Sequence, residues 1–182
     1  MAVADRERWD SRHEAAGPAE PAPPAALRGR EALLPAGGRA LDVACGRGAV
    51  AVWLAQHGFA VDAVDISPAA LRSVAGLAAR RGVADRVRGC RHDLDDGLPD
   101  RGTLYDVVVC QGFRDPRLYP QLRSALAPGG LLVVTVLSRV GAGGEALAFR
   151  AEPGELLDAF GALRVLAHRE GGGGAALVAV AG

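Results

Sequence analysis

Short apolar runs that suit buried strands alternate with stretches of helical spacing from residue 39 to the end of the chain. Because each helix returns the chain across the sheet, this alternation predicts parallel strands with helices on both faces. The last two runs are joined by only four glycines, and so short a connection makes an antiparallel hairpin, not a parallel crossover. We therefore predict an α/β fold, a doubly wound, mostly parallel seven-stranded sheet with one antiparallel C-terminal strand. The predicted strands cover residues 40–44, 60–64, 87–91, 105–110, 131–137, 163–168 and 175–181.

Residues 1–38 differ in composition from the alternating part, residues 39–182, and are interpreted as a separate extension. Residues 1–14 have the pattern of a polar helix with one large apolar side chain, Trp9, and the residues after it are rich in alanine and proline. A single tryptophan on a polar helix is expected to bury against another surface. The extension is therefore predicted to be a lid helix followed by a linker.

The composition excludes several classes of site. All 21 basic residues are arginine, which removes the lysine that a P-loop or a pyridoxal enzyme requires. The formal net charge is zero, so neither a nucleic acid nor a membrane is an expected partner. Cys45, Cys90 and Cys110 do not have the spacing of a zinc site, and no metal is predicted. The first residues lack the apolar segment of a secretion signal, and a cytoplasmic location is expected.

The most informative segment is a glycine-containing turn after the first predicted strand, Leu-Asp-Val-Ala-Cys-Gly-Arg-Gly at residues 41–48. Glycines at such a turn let the backbone bend sharply and approach a ligand closely. Asp42, in the preceding strand, would repel a pyrophosphate but attract the ammonium group of a methionine moiety. Asp65, at the end of the second strand, can accept hydrogen bonds from both hydroxyls of a ribose. The alternative for Asp65 is an ordinary solvated acid that precedes the Ser67 helix cap.

Three segments resemble the class I S-adenosylmethionine-dependent methyltransferases: residues 40–48, the Val-Asp-Ile-Ser turn at 64–67, and Leu-Ala-Pro-Gly-Gly at 126–130. Here Ala44 replaces the usual first glycine of the loop. Three further segments are similar to the small tellurite-resistance-type methyltransferases: residues 9–12, 149–157 and 163–171. The resemblance implies a Rossmann-like methyltransferase fold, with S-adenosylmethionine as the cofactor and S-adenosylhomocysteine as the product.

The same resemblance implies which residues bind the cofactor. Asp93 would meet the amino group of the adenine and Leu94 would pack against the ring, although Asp93 could instead belong to an acidic surface loop. The expected cofactor-binding residues are Asp42, Ala44, Cys45, Gly46, Gly48, Asp65, Ile66, Asp93, Leu94 and Cys110.

The acceptor is expected just past the fourth strand, because ligands collect at the carboxyl ends of parallel strands. Gln111 could orient a small acceptor there, and Phe113 could form one side of the site. The alternatives are that Gln111 belongs to a hydrogen-bonded loop and that Phe113 is an aromatic side chain of the core. His92 is a candidate general base or a structural histidine. Arg12 and His13 could swing over the site with the lid helix. The D/N-P-P-Y/F signature of adenine-methylating enzymes does not occur at this position.

The predicted function is methyl transfer from S-adenosylmethionine, by direct in-line displacement, to a small-molecule acceptor such as a thiol, a chalcogenide or an amine. A methyl group on a sulfonium is already activated, so the enzyme mainly has to align the acceptor behind it and exclude water. A nucleic-acid or protein methyltransferase and a non-catalytic nucleotide-cofactor-binding module are the alternatives. We expect a monomer or a homodimer.

Overall fold

The computed structural model describes residues 3–100, 102–143 and 149–182, with side chains described from residue 7 onward. Its strands are β1 (Gly38–Val43), β2 (Phe59–Asp65), β3 (Val87–Arg91), β4 (Tyr105–Gln111), β5 (Leu126–Leu137), β6 (Arg164–Gly171) and β7 (Gly174–Val180). They form one sheet in the order β3-β2-β1-β4-β5-β7-β6. The first five strands run parallel, and β7 is antiparallel to both of its neighbours. The fold class predicted from the alternating pattern is confirmed.

The helices are α1 (Val3–Ala15), α2 (Ala49–Gln56), α3 (Pro68–Arg80), α4 (Tyr119–Ser124) and α5 (Glu155–Phe160). The core has two apolar layers, one on each face of the sheet. Leu54 of α2 is fully buried in the first layer, and Phe160 of α5 is fully buried in the second. No helix in the described part of the chain combines the length and hydropathy that crossing a bilayer requires.

The start of β5 differs from the prediction. The strand begins at Leu126 and takes up the Pro-Gly-Gly segment that precedes its apolar run. A Cβ on Gly130 would lie 2.8 Å from the carbonyl oxygens of Ala127 and Tyr105, so only glycine fits there. Pairing with β4 shifts its register next to Tyr105. The preceding helix, α4, ends at Ser124, two residues before the chain enters the sheet at Leu126.

The linker after α1 contains two short 3-10 turns, Ala25–Leu27 and Glu31–Leu33, and the first of them contacts β5 and β7. Leu27 is fully buried in the apolar layer that α2 covers. The N-terminal extension therefore contributes a side chain to the core as well as a helix above the sheet.

Residues 16–24 form neither helix nor strand, and we call this segment the strap. The guanidinium of Arg47 donates a hydrogen bond to the carbonyl oxygen of Gly17. Further along, the backbone N–H of Ala22 donates to the carbonyl oxygen of Ala49 at 3.1 Å. The strap is therefore attached directly to the loop that follows β1 and to the start of α2.

Candidate functional site

A cavity of about 160 Å³ lies at the carboxyl edge of the sheet, where β1 and β4 are neighbours and the strand order reverses. Ligands of doubly wound sheets bind at this position. The cavity wall consists of Trp9, His13, Ala44, Gly46, Asp65, Ile66, Leu94, Gln111, Gly112 and Phe113. Half of the predicted cofactor-binding residues are in this wall, and α1 covers it with two aromatic side chains.

The glycine loop after β1 has a left-handed backbone at Ala44 (φ 54°), Gly46 (φ 52°) and Gly48 (φ 84°). Within the described residues Ala44 is the only one other than glycine with a positive φ, and a Cβ in this region costs roughly 1–2 kcal/mol. A Cβ on Gly48 would lie 2.8 Å from the Val74 side chain, so α3 packs directly against the loop. Strained backbone clusters at binding sites. The shape of this loop therefore suits the close approach of a ligand.

Asp65, at the end of β2, is held by two backbone N–H groups. Its Oδ2 accepts a hydrogen bond from Gly46 and its Oδ1 accepts one from Ser67, each at 2.9 Å. The residue is only 7% exposed and yet it lines the cavity. A carboxylate has about four lone-pair positions, so both oxygens keep room for a donor from a ligand. The geometry fits the predicted contact with a ribose diol.

Asp42, in β1, is buried close to the glycine loop and is 2% exposed. Its Oδ2 has no hydrogen-bond partner among the described residues. Burial raises the pKa of this carboxyl group to about 7; the backbone N–H of Ala51 opposes the shift and the charge of Asp65 adds to it. A bound cation nearby would favour the charged form of such an acid. Asp42 therefore fits a position near an ammonium group, although it does not reach the cavity wall.

The remaining predicted cofactor residues take other positions. Asp93 accepts a hydrogen bond from the backbone N–H of Asp95 at 3.0 Å and caps a 3-10 turn. It lies outside the cavity wall, whereas its neighbour Leu94 lies in it. Burial raises the pKa of the Cys110 thiol to about 12 and that of the Cys45 thiol well above its usual value. Burial thus disfavours the thiolate form of both residues, and both side chains pack in the apolar layers of the core.

The three catalytic candidates are engaged in structural contacts. Gln111 accepts a hydrogen bond at 2.6 Å from the backbone N–H of Ala25, which ties the linker to the end of β4. The Nε2 atom of His92 lies 3.0 Å from a backbone carbonyl oxygen of the following loop. Arg12 is exposed, with its guanidinium carbon 5.3 Å from the centre of the Trp9 ring. Of the three, only Gln111 reaches the cavity wall.

Two acidic side chains that sequence reasoning missed fasten α1 over the cavity. The carboxylate of Asp10 accepts hydrogen bonds from the Ser67 hydroxyl and, at 3.3 Å, from the backbone N–H of Ala69. Glu14 forms an ion pair with Arg72 at 3.2 Å. Both acids bind α3, whose N-terminus favours a negative charge. The spacing of Asp10 and Glu14 could have indicated this role, because residues four apart lie on the same face of a helix.

An ion pair with little exposure to solvent fixes the loop that follows β4. Arg114 donates to Glu155 from Nε at 2.8 Å and from a terminal nitrogen at 2.6 Å. Tyr119 donates its hydroxyl to the same carboxylate at 2.7 Å. Burial opposes ionisation of Glu155, but the hydrogen bonds from Arg114 and Tyr119 hold its pKa below the usual value. The loop that carries Gly112 and Phe113 is therefore braced against α5.

A family model described as "Methyltransferase domain" matches residues 40–130. The chain is 35% identical to ribosomal RNA small subunit methyltransferase C of Alcanivorax borkumensis over 104 residues, which are 52% of this chain and 31% of that protein. It is 38% identical to ribosomal protein L11 methyltransferase of Pelotomaculum thermopropionicum over 112 residues, which are 60% of this chain and 35% of that protein. The chain thus spans about a third of the length of these curated relatives.

Among solved structures, the crystal structure of TehB from Haemophilus influenzae resembles the chain with a TM-score of 0.70. The likeness covers 79% of this chain and 57% of that chain. At 15% sequence identity it shows the fold alone.

Proposed function

The chain belongs to the class I S-adenosylmethionine-dependent methyltransferases, and on this premise we propose that it transfers a methyl group from S-adenosylmethionine to a small-molecule acceptor by direct in-line displacement. The family assignment made from the three sequence segments is confirmed, and S-adenosylmethionine is the cofactor of the family. The acceptor that we propose is a thiol, a chalcogenide or an amine.

The observation that carries the proposal is the position of Asp65 beside the glycine loop. The carboxylate that Gly46 and Ser67 hold would accept both ribose hydroxyls of the cofactor, and each such contact contributes about 1.5–3 kcal/mol. The orphaned Oδ2 of Asp42 fits the positive end of a methionine moiety. Leu94 lines the cavity, where its apolar side chain would pack against the adenine ring. A pyrophosphate over the same loop would be repelled by both acids.

The residues of this chain have two tasks in such a reaction, to position the acceptor and to exclude water. When bound, the cofactor supplies a methyl group on a sulfonium, and the departing group is a neutral thioether. Trp9 covers the cavity, and Gly112 and Phe113 form its wall at the end of β4, where an acceptor is expected. Alignment of this kind lowers a barrier by roughly 7–11 kcal/mol.

A macromolecular acceptor is the second candidate, because the names of two relatives refer to ribosomal RNA and to a ribosomal protein. A nucleic acid is normally bound by a basic surface. This chain has a formal net charge of zero, and its cavity is covered by α1. These two properties favour a small acceptor and argue against a nucleic-acid partner.

Calorimetric titration with S-adenosylmethionine, S-adenosylhomocysteine and NAD tests the cofactor assignment. We expect micromolar binding of the first two, about 8 kcal/mol at 1 μM, and no binding of NAD. Assays with labelled cofactor on thiols, selenides, amines and ribosomal RNA then test the acceptor. Methylation of RNA alone would overturn the small-acceptor proposal, and cofactor binding without any turnover would favour the non-catalytic alternative.

A further inference from the structure

We propose that His13 is a catalytic residue that removes a proton from the methyl acceptor, so that the acceptor binds as a neutral molecule that still carries its proton, a class that extends the thiols and amines named above to phenols and leaves out preformed anions. The inference rests on the proposed methyl transfer and names the acceptor class of the same site. Three features of His13 carry it: its place in the cavity wall, the availability of its ring nitrogens, and the attachment of the helix that bears it.

His13 shares the cavity wall with Gly112 and Phe113, the residues that follow β4. Its Cε1 atom lies 3.5 Å from the position that a Cβ on Gly46 would occupy. The imidazole therefore projects from α1 over the glycine loop and faces the space in which the transferred methyl group is expected. A general base has to come within hydrogen-bond reach of the proton that it removes. His13 is the one histidine in the described part of the wall.

Only two side chains in the described wall carry an acid–base group, Asp65 and His13. Asp65 is committed to two backbone N–H groups and, in the proposed complex, to the ribose. His57 and His92 each direct a ring nitrogen at a backbone carbonyl oxygen, at 2.8 and 3.0 Å. His13 makes no hydrogen bond to any residue that the structure describes. Its ring nitrogens are therefore available to a substrate.

The position of the imidazole is set by its neighbours on α1. Trp9, one turn earlier, stacks against it with ring centroids 5.9 Å apart and 24° between the planes. Asp10 and Glu14, on either side of His13 in the sequence, bind α3. Docking of the helix therefore brings the base and the cover of the cavity into place together.

In the proposed step, a lone pair on the acceptor's sulfur, oxygen or nitrogen forms the new bond to the methyl carbon. The carbon–sulfur bond of the sulfonium breaks, and its electron pair stays on the sulfur of neutral S-adenosylhomocysteine. The acceptor's proton passes to a ring nitrogen of His13 and from there to solvent. Histidine is the side chain best suited to this task at neutral pH, and general-base catalysis typically contributes about 10²–10⁴-fold.

Phenol and benzenethiol test the proposal, because they have nearly the same shape and differ in acidity. Phenol keeps its proton at pH 8, whereas benzenethiol is ionised and needs no base. We expect His13→Ala to lower kcat for phenol by about 100-fold or more and to change kcat for benzenethiol by less than about 3-fold. His13→Gln should show the same changes in kcat for the two acceptors. Added imidazole should restore part of the activity of His13→Ala toward phenol. The matched control, His57→Gln, changes an exposed histidine at the end of α2 and should keep full activity.

Equal losses with both acceptors, an unchanged kcat for phenol, or turnover of benzenethiol alone by the wild-type protein would overturn the role of His13. A weaker affinity for S-adenosylmethionine with an unchanged kcat would also overturn it, because His13 would then be a cofactor ligand. The proposed function fails separately, in the wild-type protein, if S-adenosylmethionine does not bind. If it binds and neither acceptor is methylated, the role of His13 is overturned, whereas the small-acceptor function is decided by the assays on thiols, selenides, amines and ribosomal RNA.

Discussion

Gly46 donates its backbone N–H to the Oδ2 atom of Asp65 at 2.9 Å, which joins the glycine loop after β1 to the acid at the end of β2. Ser67 completes the arrangement by donating to Oδ1. The carboxylate is therefore oriented before a ligand arrives, and a bound molecule does not have to order a mobile side chain. The shape of the loop and the affinity for a diol are coupled through one side chain.

Replacing Asp65 with alanine should weaken S-adenosylmethionine binding at least about tenfold, because a hydrogen bond to a charged acceptor is worth about 1.5–3 kcal/mol. Isothermal titration calorimetry measures the dissociation constant directly. Asp158→Ala removes an exposed acid of α5 and should leave the constant unchanged. Equal affinities of the Asp65 variant and the wild type would remove the ribose assignment.

The buried Asp42 should make the protein less stable as the pH rises toward neutrality. Its carboxyl group has a pKa of 3.8 without the fold and of about 7 within it. Between these values the folded state binds more protons than the unfolded state, so the free energy of unfolding falls as the pH rises through this window. A shift of this size corresponds to a loss of up to about 4 kcal/mol.

Urea denaturation of the wild type and of Asp42→Asn at pH 5 and pH 8 measures this effect. The asparagine is uncharged at both values, so the variant should lose much less stability than the wild type between them. The comparison isolates Asp42, because all other titrating groups are shared by the two proteins. Identical changes in the free energy of unfolding would show that Asp42 does not titrate in this range.

Ala44→Gly should raise the free energy of unfolding by about 0.5–1 kcal/mol. Glycine relieves the left-handed strain at φ 54°, and this gain exceeds the greater entropy that glycine gives to the unfolded chain. The matched control is Ala75→Gly in the exposed, regular part of α3, which should lower stability by about 0.5–1 kcal/mol. Thermal or urea denaturation measures both. A loss of stability in the Ala44 variant would show that the alanine is not strained.

Asp10→Ala should weaken cofactor affinity by about 3–10-fold, as expected for the loss of about 1 kcal/mol of capping contacts between α1 and α3. The stability of the domain should hardly change, because the Ser67 hydroxyl also accepts a hydrogen bond from Ala70 at 3.0 Å and keeps α3 capped. Glu7→Ala, at an exposed position of the same helix, serves as the control. Removal of residues 1–14 should have a larger effect in the same direction, and unaltered affinity and turnover after that deletion would contradict the lid.

The architecture could be predicted largely because its determinants are local. Ser67 and the proline after it start α3 at the expected residue, and the short glycine connection makes β7 antiparallel. The start of β5 could not be predicted in the same way. It depends on how closely Gly130 approaches the carbonyl oxygen of Tyr105, which belongs to another strand.

The site residues likewise divide into those that local sequence determines and those that depend on contacts between distant parts of the chain. Asp65 and Gly46 were each assigned from one strand and the turn after it, and the two residues meet in the structure. Gln111 and His92 were considered for catalysis from their residue types, and the structure adds hydrogen-bond contacts of each that the sequence does not show. Ala25, which binds Gln111, lies 86 residues away along the chain. A contact over such a separation leaves no periodicity in the sequence, so only the packed structure reveals it.

The strap of residues 16–24 is attached to Arg47 in the glycine loop and to Ala49 at the start of α2, and just beyond its end Ala25 is held by Gln111. Because the cavity lies beneath α1, we expect a fresh donor molecule to enter, and a spent one to leave, more readily when these attachments loosen. Association that waits for such a rearrangement is slow. We therefore expect slow association of both nucleosides with the protein.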